Sequence, residues 1–360
     1  MTAPAAIAST LNQPPGRRGV LLANVGTPDA PTVPAVRKYL AEFLGDPRVV
    51  DLPAPGRWLL LNLIILPFRP KRSAHAYQQV WTANGSPLLL HSRAQRDALA
   101  QKLPEAVVAL GMRYGNPSMR DALESLRAQG VSHVTLVPLF PQWADATSGT
   151  TEDCFRGLAG DTRADVTPPF FLEPGFVKAW AARVKRVADA SGAQTVVFSY
   201  HGLPARQVKK VCDAGCGGCE GQAAPCPAPG ERNARCYRAQ CFATSRAIAR
   251  EAGIASVVTS FQSRIKGTAW LGPHTDETVA KLARQGVRRA AIACPSFVAD
   301  CLETLEEIGQ RAAQTFREAG GESLALVPAV NDDPLFIDAL AALIRRQWAA
   351  SPAPDSGGAA

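Results

Sequence analysis

Short apolar runs, each closed by a polar, glycine or proline turn, set the limits on what this chain can become. Gly19 to Gly26 (GVLLANVG), Ala106 to Leu110, His133 to Phe140 (HVTLVPLF), Thr195 to His201, Ser256 to Phe261 and Arg289 to Cys294 read as buried strands. Between and beside them, Ala35 to Leu44, Ser92 to Lys102, Gly175 to Ser191, Ala239 to Ala252 and Thr275 to Gln285 read as helices. Strands that alternate with helices form βαβ units, and these build parallel sheets. The pattern runs once, then restarts after Pro168 with no internal sequence repeat. The expectation is an α/β protein of two similar Rossmann-like lobes, residues 18–170 and 171–348, with a cleft between them. Residues 1–17 and 349–360 are expected to be mobile tails. The first strand ends on one glycine, Gly26, without a GxGxxG pattern, so it carries no dinucleotide claim.

In open parallel sheets ligands bind beyond the C-terminal ends of the strands. Three segments put chemistry there. Thr195 to Pro204 (TVVFSYHGLP) stops at Gly202 and Pro204 and leaves His201 at the mouth of the sheet. A lone histidine there is equally a packing or capping residue, so His201 needs partners. The segment from Cys294 leaves a strand, turns at Pro295 and enters a helix, where Glu303 and Glu307 lie four apart on one face. Glu306 is expected to be a solvated acid of the helix's first turns. Arg113 and Tyr114 stand side by side after the Ala106 to Leu110 strand and suit a carboxylate and a planar ring. The loop from Pro141 to Thr150 is rich in hydroxyls, as ligand-facing loops often are.

With 360 residues the chain is long enough for two cores. A formal charge of +8 favours acidic partners, but no Lys/Arg block or basic–aromatic motif marks a nucleic-acid binder. The N-terminal stretch lacks a charged segment followed by an apolar core, and no apolar run is long enough to span a bilayer. A cytoplasmic location follows, in which the nine cysteines are reduced. Cys212, Cys216, Cys219 and Cys226 crowd a Gly/Pro-rich loop, with Cys236 and Cys241 beyond. Clustered thiols in a reduced compartment point to metal, and either a four-cysteine zinc site or a [2Fe–2S] cluster fits. Cys154, Cys294 and Cys301 read as small buried hydrophobes. Trp58 to Phe68 (WLLLNLIILPF), followed by Arg69, Lys71 and Arg72, is either a buried core helix or an exposed apolar lip over 58–72. Such a lip would rest on an anionic membrane or grip a flat ligand.

The segments LLANVGTPDAP, FLGDPRVVDLP, GSPLLLHSR, MRYGNPSM, VPLFPQWADATSGT, SYHGLP, TSFQSRIKGTAWLGPHTDET and CPSFVADCLETLEEI, in this order, resemble the ferrochelatase family. The resemblance runs from Gly19 to about Ile344. It implies insertion of Fe²⁺ into a dicarboxylate porphyrin, protoporphyrin IX, to give protohaem in the last step of haem synthesis. It also implies a porphyrin cleft between the lobes. Carried over by position, His201 is the metal-handling histidine, Glu303 its partner carboxylate, and Glu307 the continuation of the acidic line. Arg113 and Tyr114 correspond to the porphyrin-contacting pair, and Trp270 with the 142–148 loop, including Trp143 and Ser148, lines the cleft. At Cys301 some relatives carry a second histidine, which puts a two-histidine metal relay in doubt here.

The cysteine-rich stretch 211–236 is an insertion relative to plainer members. Bacterial members with such an insert carry a [2Fe–2S] cluster, which implies Cys212, Cys216, Cys219 and Cys226 as ligands, Cys236 in reserve, and zinc as the alternative occupant. Porphyrin and ferrous iron are then the partners, with peripheral contact to the inner face of the cell membrane through the lip. A cobalt or nickel chelatase of related fold is the alternative within catalysis. A non-enzymatic haem or iron–sulfur binding module is the alternative outside it, and the presence of both His201 and Glu303 speaks against it.

Overall fold

Every expected strand forms in a computed structural model of the chain, which describes residues 17–212, 226–264 and 268–350. They are β1 (Arg17–Thr27), β2 (Ala106–Gly115), β3 (Val131–Pro138), β5 (Thr195–His201), β6 (Val257–Gln262) and β7 (Arg289–Ala293). Two short strands join them, β4 (Arg163–Val166) and β8 (Ser323–Leu326). Both lie at sheet edges and are largely half-buried, so neither needs the apolar run that betrays a central strand.

The strands make two four-stranded parallel sheets, ordered β2-β1-β3-β4 and β6-β5-β7-β8. The two orders are the same in chain sequence, so the lobes share one topology despite the lack of a sequence repeat. In each, the connection reverses direction beside the first strand of the set, which opens a crevice at its C-terminal end. In the second sheet that crevice lies between β5, ending at His201, and β7, leading to Cys294.

One strand departs from expectation. β2 runs on to Gly115 instead of stopping at Leu110, with Tyr114 paired to Gly26 of β1. A Cβ at Gly26, where φ is +108°, would sit 1.7 Å from the Tyr114 carbonyl oxygen. Only glycine lets the strands approach that closely, and so Arg113 and Tyr114 become strand residues.

The largest core cluster draws on both sheets, joining Val20 and Leu22 to Val196, Phe198 and Tyr200. Burying each such side chain contributes about 1.5–3 kcal/mol. The last helix, Pro334–Ala350, packs on both Pro174–Ser191 and Pro87–Lys102. Its Trp348 Nε1 donates to Thr135 Oγ1 in β3 at 2.8 Å. Gln95, fully buried in the Pro87–Lys102 helix, donates to the carbonyls of Val298 and Asn331 at 2.8 and 2.9 Å. The lobes thus share one interior and are clamped beside the crevice.

The lip resolves in favour of exposure. Helices Ala54–Leu59 and Leu66–Val80 flank a π-helical stretch, Leu60–Ile65. Trp58 (60%), Leu63 (59%), Ile64 (60%) and Phe68 (75%) face outward, which rules out the buried core helix. Leu61, Ile65 and Leu66 pack inward with Tyr39 and Tyr77, so both faces of the segment are apolar but one is covered. Among the described residues, no helix is long and apolar enough to cross a membrane.

Candidate active site

His201 ends β5 opposite Gln262 of β6, half-buried at the crevice. Its Nδ1 lies 2.7 Å from the Gly202 carbonyl oxygen. A carbonyl only accepts, so Nδ1 carries the proton and in the neutral ring Nε2 keeps a lone pair. The backbone is held on both sides: His201 N–H donates to Ser296 Oγ at 3.2 Å, and Tyr237 Oη donates to the His201 carbonyl at 2.9 Å. Phe297 meets the imidazole edge-on, with ring centroids 6.3 Å apart. A Cβ on Gly202 would lie 2.6 Å from the Gln262 carbonyl oxygen and 3.2 Å from Trp270 Cε3. Glycine therefore lets the Trp270 ring lie against the chain next to His201. The two segments are stitched together by Leu271 N–H to Leu203 O and Ala205 N–H to Ala269 O, each at 2.9 Å.

Glu303 opens another π-helix, Glu303–Ala312. Its carbonyl accepts from Gln262 Nε2 at 3.2 Å, which puts its backbone one hydrogen bond from the residue paired with His201. Its side chain faces the N-terminal lobe. Burial first, then the neighbouring tyrosine and the Glu303 charge, push the Tyr39 hydroxyl well above its ordinary range. Tyr77 is raised by burial and then by Glu303, and the Cys301 thiol likewise. Glu307 instead turns to Ser263, whose N–H and Oγ donate to its two carboxylate oxygens at 2.8 and 2.5 Å. Ser263 has φ +66°, a conformation that costs a non-glycine residue free energy and recurs at functional sites. The π-helix therefore splits the expected acidic face: Glu303 looks across to the tyrosines, Glu307 back to β6. Glu306 is not a solvated acid, since its carboxylate takes the Arg311 guanidinium at 2.9 Å and is 13% exposed.

Arg113 and Tyr114 converge on Asp46. One carboxylate oxygen of this buried residue accepts from Arg113 Nη2 at 2.6 Å, Tyr114 Oη at 2.9 Å and Thr150 Oγ1 at 2.6 Å. Burial alone would raise the Asp46 carboxyl, but the Thr150, Arg48 backbone and Tyr114 hydrogen bonds and the Arg113 charge hold it below its ordinary value. Tyr114 is fully buried, while Arg113 keeps one-fifth of its side chain exposed. The 142–150 loop is anchored to the same cluster through Thr150 and through Arg48, which pairs with Asp145 and Asp153. Ser148 is buried, and Trp143 is half-buried under the Arg235 guanidinium. A gap of about 10 Å³ between Trp143, Leu203 and Tyr237 has room for one water and not for a tetrapyrrole.

Of the cysteines, Cys212 is half-buried, Cys226 and Cys236 are buried, and Cys216 and Cys219 lie outside the described residues. Cys236 precedes the helix Tyr237–Ala252, and its thiol hydrogen-bonds both Cys226 and Cys212. The Cys236 bond and the Arg238 charge pull the Cys226 thiol down to about 6 against the opposing effect of burial. The same bond, together with burial, pushes Cys236 up. Among the described residues, no three His, Cys, Asp or Glu side chains close on a metal position. Cys294 and Cys301 are buried as expected, and Cys154 is half-buried.

Residues 17–348 match the ferrochelatase family model. Ferrochelatase of Opitutus terrae is 45% identical over 93% of this chain and 99% of its own length. That of Azotobacter vinelandii is 45% identical over 91% and 98%, and that of Coxiella burnetii 40% identical over 91% and 93%. The chain belongs to the ferrochelatase family. Ferrochelatases are metal chelatases, classed as lyases, whose substrates are porphyrin and ferrous iron. Among solved structures, SirB from Bacillus subtilis with Fe³⁺ superposes at a TM-score of 0.54, with 14% identity over 93% of this chain and 97% of SirB. The sirohydrochlorin chelatase SirB in complex with cobalt superposes at 0.51, with 13% identity over 92% and 95%. At those identities the likeness is one of fold.

Sequence reasoning passed over several residues that build this candidate site. Asp46 lay unremarked within FLGDPRVV, because nothing local shows that it meets Arg113, Tyr114 and Thr150. Ser263 and Tyr237 act on Glu307 and His201 from distant segments, and only Gly202 carried a signal, as the glycine after a strand-ending histidine.

Proposed function

We propose that this ferrochelatase inserts Fe²⁺ into a protoporphyrin IX-type dicarboxylate porphyrin to give protohaem, with His201 as the proton acceptor. The observation that carries the reading is the His201 ring itself. Its Nδ1 is committed to the Gly202 carbonyl, which leaves Nε2 basic at the crevice between β5 and β7. Metallation releases two pyrrole protons, and a neutral imidazole accepts a proton near neutral pH. Glu303 stands on the facing side beside Tyr39 and Tyr77, placed to pass protons or a metal's water onward. Glu307, fixed by Ser263, continues the acidic line. Trp270 gives the macrocycle a flat wall beside His201, and Trp143 and Ser148 add to the lining from the 142–148 loop. Arg113, the exposed member of its pair, faces the substrate's carboxylates, while Tyr114 serves through Asp46. His201→Ala should abolish insertion of Fe²⁺ under anaerobic conditions and leave porphyrin binding, followed by fluorescence quenching, within a few-fold of wild type. An active H201A enzyme would end the assignment.

The cysteine stretch is read as a [2Fe–2S] site. Cys236 lies against both Cys226 and Cys212, short of a closed metal position, and a thiol held low by Cys236 and then by the Arg238 charge suits iron–sulfur ligation. When bound, such a cluster cross-links the loop through iron–thiolate bonds and supplies a one-electron redox couple. The contact of Cys236 with both neighbours brings it from reserve into the ligand set, with Cys212, Cys226 and one of Cys216 and Cys219. Single Cys→Ser substitutions should bleach the visible absorption at Cys212, Cys226 and Cys236. An unaffected spectrum in Cys236→Ser would restore the set of Cys212, Cys216, Cys219 and Cys226, and a colourless zinc-loaded wild type would replace the cluster with zinc. The lip, apolar outward and followed by the exposed Arg69, Lys71 and Arg72, is read as a peripheral contact with anionic membrane.

A further inference from the structure

Beneath His201 the second sheet buries hydroxyls where apolar side chains would fill the same space. Ser199 of β5 and Ser260 of β6 are register partners, and both are fully buried. Thr275, nearly as deep, opens the helix Thr275–Arg284 and puts its Oγ1 2.8 Å from Ser199 Oγ and 2.9 Å from Ser260 Oγ. Ser199 Oγ lies in turn 2.8 Å from Oε1 of Gln262, a side chain as deeply buried. The direction of these bonds is fixed from the far end. Gln262 Nε2 donates to the Glu303 carbonyl at 3.2 Å, and a carbonyl only accepts. The amide oxygen therefore faces Ser199, which gives it its one proton. Ser199 is then left to accept from Thr275, and Thr275 from Ser260. The Cys294 thiol adds a weaker donor to the same amide oxygen at 3.6 Å. A turned amide would set oxygen against the Glu303 carbonyl, so the directed hydroxyls hold Gln262 in one orientation. The Gln262 main chain pairs with His201, and its carbonyl accepts the Gly202 N–H at 2.8 Å. One residue thus holds the end of the His201 strand with its backbone and the start of the Glu303 helix with its side chain.

We propose that Thr275 is a positioning residue for the reaction, acting through Ser199 and Gln262 to set the span between the His201 imidazole and the Glu303 carboxylate. Without the Thr275 hydroxyl, Ser199 Oγ loses its donor and its own proton is free to turn from Gln262. The amide then rotates, and the first residue of the π-helix loses the bond that ties it to β6. The inference rests on the reading of His201 and Glu303 as the reacting pair, whereas the bonds themselves do not depend on it. In that reading Arg113, Trp143 and Trp270 hold the macrocycle, so the effect falls on kcat and not on KM.

The test compares Thr275→Val, which keeps the shape and removes the hydroxyl, with Thr275→Ser, which keeps the hydroxyl. Anaerobic insertion of Fe²⁺ into protoporphyrin IX gives kcat and porphyrin KM. The side-chain amide protons of Gln262, followed by NMR in the ¹⁵N-labelled full chain, report the bond to Glu303. Thr275→Val should lower kcat roughly tenfold, the effect of losing one buried hydrogen bond, and leave KM within about twofold of wild type. Its Gln262 amide protons should exchange roughly tenfold faster. Thr275→Ser should restore both. Gln262→Met removes the bridge itself, and adding Thr275→Val to it should lower kcat no further. Wild-type kcat in Thr275→Val would overturn the proposal, as would a double variant whose loss is the product of the single losses, or a Thr275→Ser enzyme no better than Thr275→Val. Should Thr275→Val fold poorly, Ser199→Ala cuts the same chain one bond nearer Gln262 and is held to the same outcomes. A Glu303→Gln enzyme with wild-type kcat would fail the reading of Glu303 alone, and the Gln262 amide protons in Thr275→Val would still decide whether the hydroxyls hold the bridge.

Discussion

Asp46 is the residue whose loss would tell most about the first lobe, because a single carboxylate oxygen receives an arginine, a tyrosine and a threonine. Its carboxyl titrates below the ordinary 3.8 in the folded protein. A depressed folded pKa means that the ionised carboxylate contributes stability above the unfolded value, and that this is lost as pH falls through the folded one. Asp46→Asn should therefore cost about 2 kcal/mol at neutral pH, and its deficit against wild type should shrink below about pH 4. Urea unfolding at several pH values measures this, and a deficit independent of pH would show that Asp46 holds its neighbours by shape alone. The exposed part of Arg113 would also lose its brace, so porphyrin KM should rise in the same variant.

At the scale of the element, regular helix is interrupted at the lip and at the π-helix Glu303–Ala312, the two segments to which the proposed function assigns the membrane contact and the acidic line. The lip turns Trp58, Ile64 and Phe68 outward although inward neighbours are already packed, an exposure that a helix serving only the core has no use for. Trp58→Ser combined with Phe68→Ser should lower binding to anionic phospholipid vesicles roughly tenfold in a sedimentation assay. Because both side chains are largely exposed, the unfolding midpoint should stay near the wild-type value. Undiminished vesicle binding would remove the lip from the proposed membrane contact.

For the molecule as a whole, the two lobes repeat one topology but share one core, so they should unfold together. Gln95 is a sensitive reporter, since it donates from the first lobe to two carbonyls on the second while fully buried. Gln95→Ala would leave the Asn331 carbonyl without its donor, while the Val298 carbonyl keeps the Asn331 N–H, and should destabilise by about 1–2 kcal/mol. Tryptophan fluorescence and far-ultraviolet circular dichroism should still report one coincident transition. Separate transitions would mean that the lobes are held by the clamp and not by the common interior.

Much of this was legible in the residues themselves. Central parallel strands are buried on both faces, so they announce themselves as apolar runs, and the positions just beyond them are where ligands bind; this is how His201 and Glu303 stood out. The motifs carried the family, and the massed cysteines carried a metal expectation. Edge strands β4 and β8 escaped because strands covered on one side need no such run. The length of β2 escaped because it depends on how closely Gly26 lets two backbones approach. The lip could be inward or outward on pattern alone, since an apolar segment looks the same to the sequence in either place. Only the folded chain decided which way each polar group was satisfied. It turned Tyr114 to Asp46, Glu307 to Ser263 and Gln262 to the Glu303 carbonyl. Such pairings join residues far apart in the chain, and a buried polar atom accepts whichever partner the packing brings within reach.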